Sequence, residues 1–379
     1  MPRLRRSACR RTVRPGEPSA FVGLDVQPIC EHVFVRWQNL ERGGSTQGRL
    51  PGLGDSVVRT FDAPEALGIR FYEVNAHSGI NEVPKRSRMP FRFTINPYRG
   101  CTHACSYCFA RPTHTYLDFN SREDFEREIV VKVNLPEVVR AELARPSWRG
   151  GHVALGTNTD PYQWVEGRYR LVEGIWEAMR DFANPCSVLT KSPLLLRDIE
   201  LMKQLVEVTD FAANLSVPTL DEKAWRETEP HTPHPRKRLE AAGELNRAGI
   251  PTGVLIAPLM PGINDAPHQV EEILELAGEV GARTIGGVGL HLRGELRDIW
   301  FDWLRQYRPD LVPRYEELYA RGAYLRPPER ERLTRMARRG PGLSGARGRR
   351  NEAREPNAAG AGHRPTGPRR SGQTSLFEA

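Results

Sequence analysis

An α/β fold, a partial (β/α)6 TIM-like barrel with disordered N- and C-terminal tails, is predicted by three observations. Six short apolar runs alternate with amphipathic helical stretches within residues 91–325, and polar residues recur where those runs end. The flanks, 1–34 and 338–379, are rich in Arg, Gly and Pro and show no apolar period. Strand–helix alternation at this spacing builds parallel βα units. A segment without apolar periodicity cannot offset the entropy of ordering it.

Residues 1–34 read as an extension dispensable for folding. "VRWQNLERG", from Val35, reads as a fresh start and opens a lead-in segment over 35–90. The candidate strands are 93–96, 152–157, 187–191, 211–217, 252–258 and 284–292, each a short run rich in apolar and β-branched residues. Helical stretches follow at 169–183, 194–209, 236–249 and 267–280. In "LLLRDIELMKQLVEV", Leu195, Ile199, Met202, Leu205 and Val206 fall on one helical face. "GELRDIWFDWLRQY" and "RYEELYARG" supply C-terminal helices, the second ending on a capping glycine. Six units are two short of a closed barrel, so the arc should keep a lateral opening wide enough for a bulky substrate.

The strand ends carry the polar residues that a βα barrel uses for chemistry. Cys101–Cys108 follow the first strand, and Thr157, Asn158, Thr159 and Asp160 follow the second. Lys191 ends the third, Ser216 the fourth, and His291 and Arg293 close the sixth.

Charge and cysteine usage bound the function. The net charge is +8, but it sits in the flanks. Residues 338–379 carry nine Arg against three Glu, and 1–34 carry six Arg against three acids. The central chain is close to neutral, so nucleic-acid binding, if present, draws on the tails or on a local patch. No apolar run reaches the length of a membrane span, and no apolar stretch of a secretory signal follows the first arginines. Cys9, Cys30 and Cys186 are scattered singly, which is no disulfide framework and suits a cytoplasmic, reducing compartment.

The other three cysteines stand together in "GCTHACSYCFARPTHTYL" as Cys101, Cys105 and Cys108. Three thiolates on one loop can hold three irons of a cubane cluster, leaving the fourth for a non-protein ligand. A closed zinc site completed by His103 or His114 is the rival reading, as in a zinc-containing nucleic-acid-binding module without catalysis. Structural zinc motifs usually bring their ligands as two pairs, and these three lie within eight residues after a barrel strand.

With aromatic Tyr107 before the last cysteine, the C-x3-C-x-Φ-C spacing resembles the signature of radical S-adenosylmethionine (SAM) enzymes. "GTNTDPYQ", "LTKS", "EPHTPHPRKRLEAA" and "LIAPLMPGIND" are similar to the spore photoproduct lyase-like branch, and most similar to its uncharacterised actinobacterial-type members. The likeness runs over about residues 70–325. It implies a [4Fe-4S] cluster on Cys101, Cys105 and Cys108, with SAM as the second cofactor. It implies a 5′-deoxyadenosyl radical that abstracts hydrogen from a large substrate, with damaged DNA as one target and RNA or a protein side chain as the alternative. It further implies that Tyr107 faces the adenine, and that Lys191 with Thr159 or Asp160 binds the methionine end. Ser216 would touch SAM too, while Glu229 and Arg238 serve structure. A reducing partner such as flavodoxin or ferredoxin is expected.

The departures bear on the reaction. The lyase returns hydrogen through a second-strand cysteine and a tyrosine just after the third cluster cysteine. Here 152–160 holds no cysteine, Phe109 occupies the tyrosine's place, and Thr115 stands where relatives carry Glu. Cys186 reads as a small buried residue. Trp300 and Trp303 read as core, His231 and His234 as a rigid proline-flanked loop, and Gly262 as a turn residue. At the end of the basic tail, Gln373, Leu376 and Phe377 lie in "QTSLF", which resembles the pentapeptide that engages the bacterial replication sliding clamp.

Overall fold

The predicted βα alternation appears as a seven-stranded sheet in a computed structural model, which describes residues 40–41, 49–50, 54–55, 57–84, 89 and 91–337. Residues 1–34 and the 338–379 tail with Gln373, Leu376 and Phe377 lie outside the described residues. Phe93–Ile95, Val153–Leu155, Cys186–Thr190, Phe211–Ser216, Thr252–Leu259 and Ile285–Gly289 are the six expected strands. They are all parallel and pair in sequence order. Ile80–Glu82 adds an antiparallel strand on the outer edge of the first. The order runs from the sixth strand to this added strand, so the sheet is an open arc.

Helices cover the arc because each carries one apolar face. In Leu171–Asp181, Val172, Ile175, Trp176 and Met179 follow i, i+3, i+4, i+7 spacing and are fully buried. Ile199–Val208, Pro235–Arg247 and Pro267–Glu279 take the next three crossovers. The first crossover holds Leu135–Leu143, a helix absent from the sequence expectation, which buries Leu135, Val139 and Leu143. Another unexpected helix, Pro327–Ala337, lies beyond residue 325 and packs on the last strand. A Cβ on Gly287 would lie 2.4 Å from the Ala337 Cβ, so only glycine admits the helix at that distance.

The lead-in segment proves to be structural. Arg70–Ala76 pairs antiparallel with Leu40–Glu41 and Val57–Arg59, and parallel with Glu128–Lys132. Tyr98–Arg99 completes this second sheet. Glu128 fixes the parallel register by accepting from Arg70 and from Tyr72 Oη (2.6 Å). The sheet matters for function because Tyr98–Arg99 runs directly into Gly100 and Cys101.

Trp300 and Trp303 are core, as expected: both are buried, with stacked rings 4.6 Å apart. His234 caps Pro235–Arg247 and pairs with Glu222, while His231 is exposed. Cys186 is fully buried at the N-terminal end of its strand, away from the polar strand ends.

Candidate functional site

The cysteine loop is held from four sides, largely through its own backbone. Gly100 has φ +78, and a Cβ there would lie 2.8 Å from the Phe125 carbonyl oxygen, so the turn into Cys101 requires glycine. Cys101 N–H donates to Phe125 O (2.8 Å), and Ser106 N–H donates to Thr228 O (3.0 Å). From the second strand end, Thr159 Oγ1 donates to Gly100 O (2.6 Å). Gln163 accepts from Thr102 N–H (2.9 Å) and donates to Thr159 Oγ1 (3.0 Å).

Arg111 holds the loop from within. Its buried guanidinium donates to the carbonyls of Ala104 (2.9 Å), Cys105 (2.9 Å) and Arg122 (2.7 Å) and pairs with Glu126 (2.7 Å). A charged donor satisfying several buried carbonyls fixes a loop that has few regular backbone pairs of its own. Sequence reasoning missed Arg111 and Gln163, whose partners here are chiefly main-chain groups that leave no motif.

Cys101 and Cys105 are buried, Cys108 is partly exposed, and none of the three is in a disulfide. Burial pushes the Cys105 thiol up to about 12, with Glu229 adding to the shift. Cys101 and Cys108 are raised as well, first by burial. The thiols are near enough to raise one another. Among the described residues, however, no three Cys, His, Asp or Glu side chains converge as a single-ion site. His114 instead stacks on Phe119 at 5.0 Å, and His103 Nδ1 lies 3.3 Å from Asp160 Oδ2. Three soft thiolate donors on one loop fit an iron–sulfur cluster, whose binding would displace the thiol protons.

The predicted SAM contacts fall into two groups. Thr159 and Asp160 brace the site from behind. Asp160 is buried, and both its oxygens are occupied: Thr190 Oγ1 (2.6 Å) and Tyr162 N–H (2.9 Å) donate to one, and Lys191 N–H (2.7 Å) to the other. Burial pushes its carboxyl up, but His103 and these donors outweigh burial and bring it below the ordinary value.

Tyr107, Lys191 and Ser216 form the second group, drawn together by Glu229. Lys191 Nζ donates to Ser216 Oγ (2.6 Å), lies 3.2 Å from Glu229 Oε1, and sits 5.7 Å from the Tyr107 ring centroid. Tyr107 Oη donates to the same Glu229 oxygen. The other oxygen takes Arg238 Nη2 (2.6 Å), and Arg238 also donates to Ser216 O (2.9 Å). Glu229 and Arg238 are fully buried. Burial pushes the Glu229 carboxyl up, but Arg238 and Lys191 overcome it and hold the group at about 2. Burial and Glu229 keep the Tyr107 proton in place, so its hydroxyl stays a donor. Two cations, Lys191 and Arg238, stand against two carboxylates, Glu229 and Asp160, with the Lys191 ammonium set beside the Tyr107 ring.

Phe109 is 62% exposed beside Cys108, and Thr115 Oγ1 donates to Pro112 O (2.8 Å). Neither is drawn into the network.

Glu229→Gln leaves the buried Arg238 charge without its counterion and should cost about 3–5 kcal/mol in urea unfolding of the full chain. The depressed carboxyl adds a pH signature. Its contribution is complete above the ordinary 4.5 and is lost as pH falls towards about 2. The wild-type should lose stability across that window relative to the Gln variant. Parallel pH curves would show that Glu229 carries no buried charge.

The radical SAM superfamily profile matches residues 95–277. An uncharacterised protein of Mycobacterium tuberculosis is 46% identical over 287 residues, covering 76% of this chain and 84% of the relative. An uncharacterised protein of Methanocaldococcus jannaschii is 28% identical over 181 residues, covering 48% of this chain and 65% of the relative. Among solved structures, a spore photoproduct lyase variant superposes with a TM-score of 0.50 at 16% identity, covering 68% of this chain and 76% of that one. The fold, the three-cysteine loop and these matches agree: the chain belongs to the radical SAM superfamily and is a radical SAM enzyme, with a [4Fe-4S] cluster and SAM as its cofactors.

Proposed function

We propose that Cys101, Cys105 and Cys108 hold the cluster, and that Lys191 and Ser216 receive the methionine end of SAM with Tyr107 alongside. When bound, the cluster and SAM together supply a 5′-deoxyadenosyl radical for hydrogen abstraction. The observation that carries the reading is the Lys191 ammonium, held by Ser216 and Glu229 beside the Tyr107 ring at the end of the third strand. Such an ammonium suits a carboxylate partner. Glu229 and Arg238 hold that ammonium and the Tyr107 hydroxyl in place, and Thr159, Asp160, Gln163 and Arg111 keep the loop rigid. Cys101 and Cys105 are buried away from water.

The substrate in this reading is large, and a nucleic acid carrying damage is favoured. Basic flanks around a near-neutral centre suit a polyanion. Lyase-type return of hydrogen is disfavoured. Phe109 has no hydroxyl to give, and the second strand, Val153–Leu155, holds no thiol. Electrons would come from a small redox protein such as flavodoxin or ferredoxin.

Two experiments test this. The full chain, reconstituted anaerobically with iron and sulfide, should turn brown and release 5′-deoxyadenosine from SAM on addition of dithionite. Cys105→Ala should release none. A colourless, zinc-loaded protein would overturn the assignment. Recruitment to DNA through Gln373, Leu376 and Phe377 rests on sequence alone. It predicts that a 365–379 peptide binds purified sliding clamp and loses binding when Leu376 and Phe377 become Ala. A peptide that does not bind removes that partner.

A further inference from the structure

The segment after the sixth strand is rich in arginine, and much of it is neutralised. Arg305 pairs with Asp302 (2.8 Å), Arg308 with Asp310 (2.8 Å), and Arg326 with Glu317 (3.2 Å). Arg332 is shared between Asp265 and Glu329. Arg293 and Arg330 differ: both are exposed, and neither guanidinium has a partner among the described residues.

Arg293 stands two residues past His291, just beyond the sixth strand, and Arg330 lies on the helix Pro327–Ala337 that packs on that strand. Burial pushes His291 down, and the charges of Arg293 and Arg330 push it further; no carboxylate offsets them. The His291 backbone bridges to Tyr324, and the two rings meet edge to face at 4.8 Å. One side of the Tyr324 ring is thereby fixed while the residue stays 47% exposed. An aromatic held in place yet open to solvent thus lies on a segment where Arg293, Arg321, Arg330 and Arg335 are exposed and have no ion-pair partner among the described residues.

His291 and Arg293 follow the C-terminal end of the sixth strand. Glu295, two residues beyond Arg293, accepts from Ser121 Oγ on the segment that follows the cysteine loop. Arg122 reaches Asp302 there at 2.6 Å. The segment after the sixth strand is therefore tied to the segment after the cysteine loop, with Arg293 two residues before Glu295 in the chain.

We propose that Arg293 and Arg330 bind the phosphodiester backbone of a nucleic-acid strand at this rim, and that the exposed Tyr324 ring stacks one of its bases. Guanidinium forks match phosphate oxygens, and base stacking on an aromatic is tolerant of sequence. An acidic peptide would use the arginines and leave the ring idle. The proposal rests on the radical-enzyme reading above and names the side from which its substrate is presented.

The test uses the full chain and a fluorescein-labelled single-stranded oligothymidylate, with binding followed by anisotropy over a potassium chloride series. In the wild-type, log K should fall linearly with log salt. Arg293→Ala with Arg330→Ala should make that slope shallower by about 1.4, since each phosphate contact on single strands contributes about 0.7. The double Lys variant should keep the wild-type slope. Tyr324→Leu should weaken binding at least about fivefold at every salt concentration. An unchanged slope in the double Ala variant, or a wild-type that does not bind the strand, would overturn the proposal. So would polyglutamate competition that depends on the arginines and not on Tyr324. Dithionite-driven SAM cleavage by the wild-type alone is scored separately: its absence condemns the radical reading, and the salt slopes still decide the rim.

Discussion

The site depends on one buried carboxylate. Glu229 has no exposed surface, and a charge so placed persists only when cations answer it. Arg238 answers from the helix Pro235–Arg247, and Lys191 from the end of the third strand. The same carboxylate takes the hydroxyl of Tyr107, the residue just before the last cysteine of the loop. Desolvation makes the carboxylate costly alone, so each partner is constrained to stay. One buried charge thus fixes where Tyr107, Lys191 and Arg238 stand.

A second constraint acts on the loop itself. Its cysteines gain little from regular backbone pairing, so its shape comes from outside: Phe125 and Thr228 carbonyls, Gln163 and Thr159 side chains, and Arg111 at its centre. The second sheet delivers Tyr98–Arg99 to the loop entrance, with Tyr98 Oη donating to buried Glu166 (2.5 Å). Residues 57–76 therefore belong to the machinery that aims the cysteines, although they contribute no reactive group. Such support is what a site needs when its chemistry comes from cofactors and the protein supplies position.

The barrel was legible in the sequence because its signal is local. All six strands were visible as short apolar runs, and the helix Leu171–Asp181 falls within the helical stretch read at 169–183. The second sheet was not. Arg70–Ala76 and Glu128–Lys132 lie more than fifty residues apart, and their register rests on Glu128 meeting Arg70 and Tyr72. Nothing near either strand announces that meeting. The cysteines, Tyr107, Lys191 and Ser216 were legible by motif and strand-end position, and they do gather on one side. Thr159 and Asp160 were found by the same rule, and their side chains bond Gly100 O, Thr190, Tyr162 N–H and Lys191 N–H, partners that strand-end position alone does not name. Glu229 and Arg238 were read as structural. That is half their role, since the other half needs Tyr107 and Lys191 from distant elements.

The central claim is that three cysteines leave one cluster iron for SAM. Mössbauer spectroscopy on the full chain reconstituted with ⁵⁷Fe tests it most directly. The claim predicts that SAM changes the isomer shift of one iron of the cluster and leaves the others as they were. Irons that all ignore SAM, or a protein that binds no cluster, would contradict it.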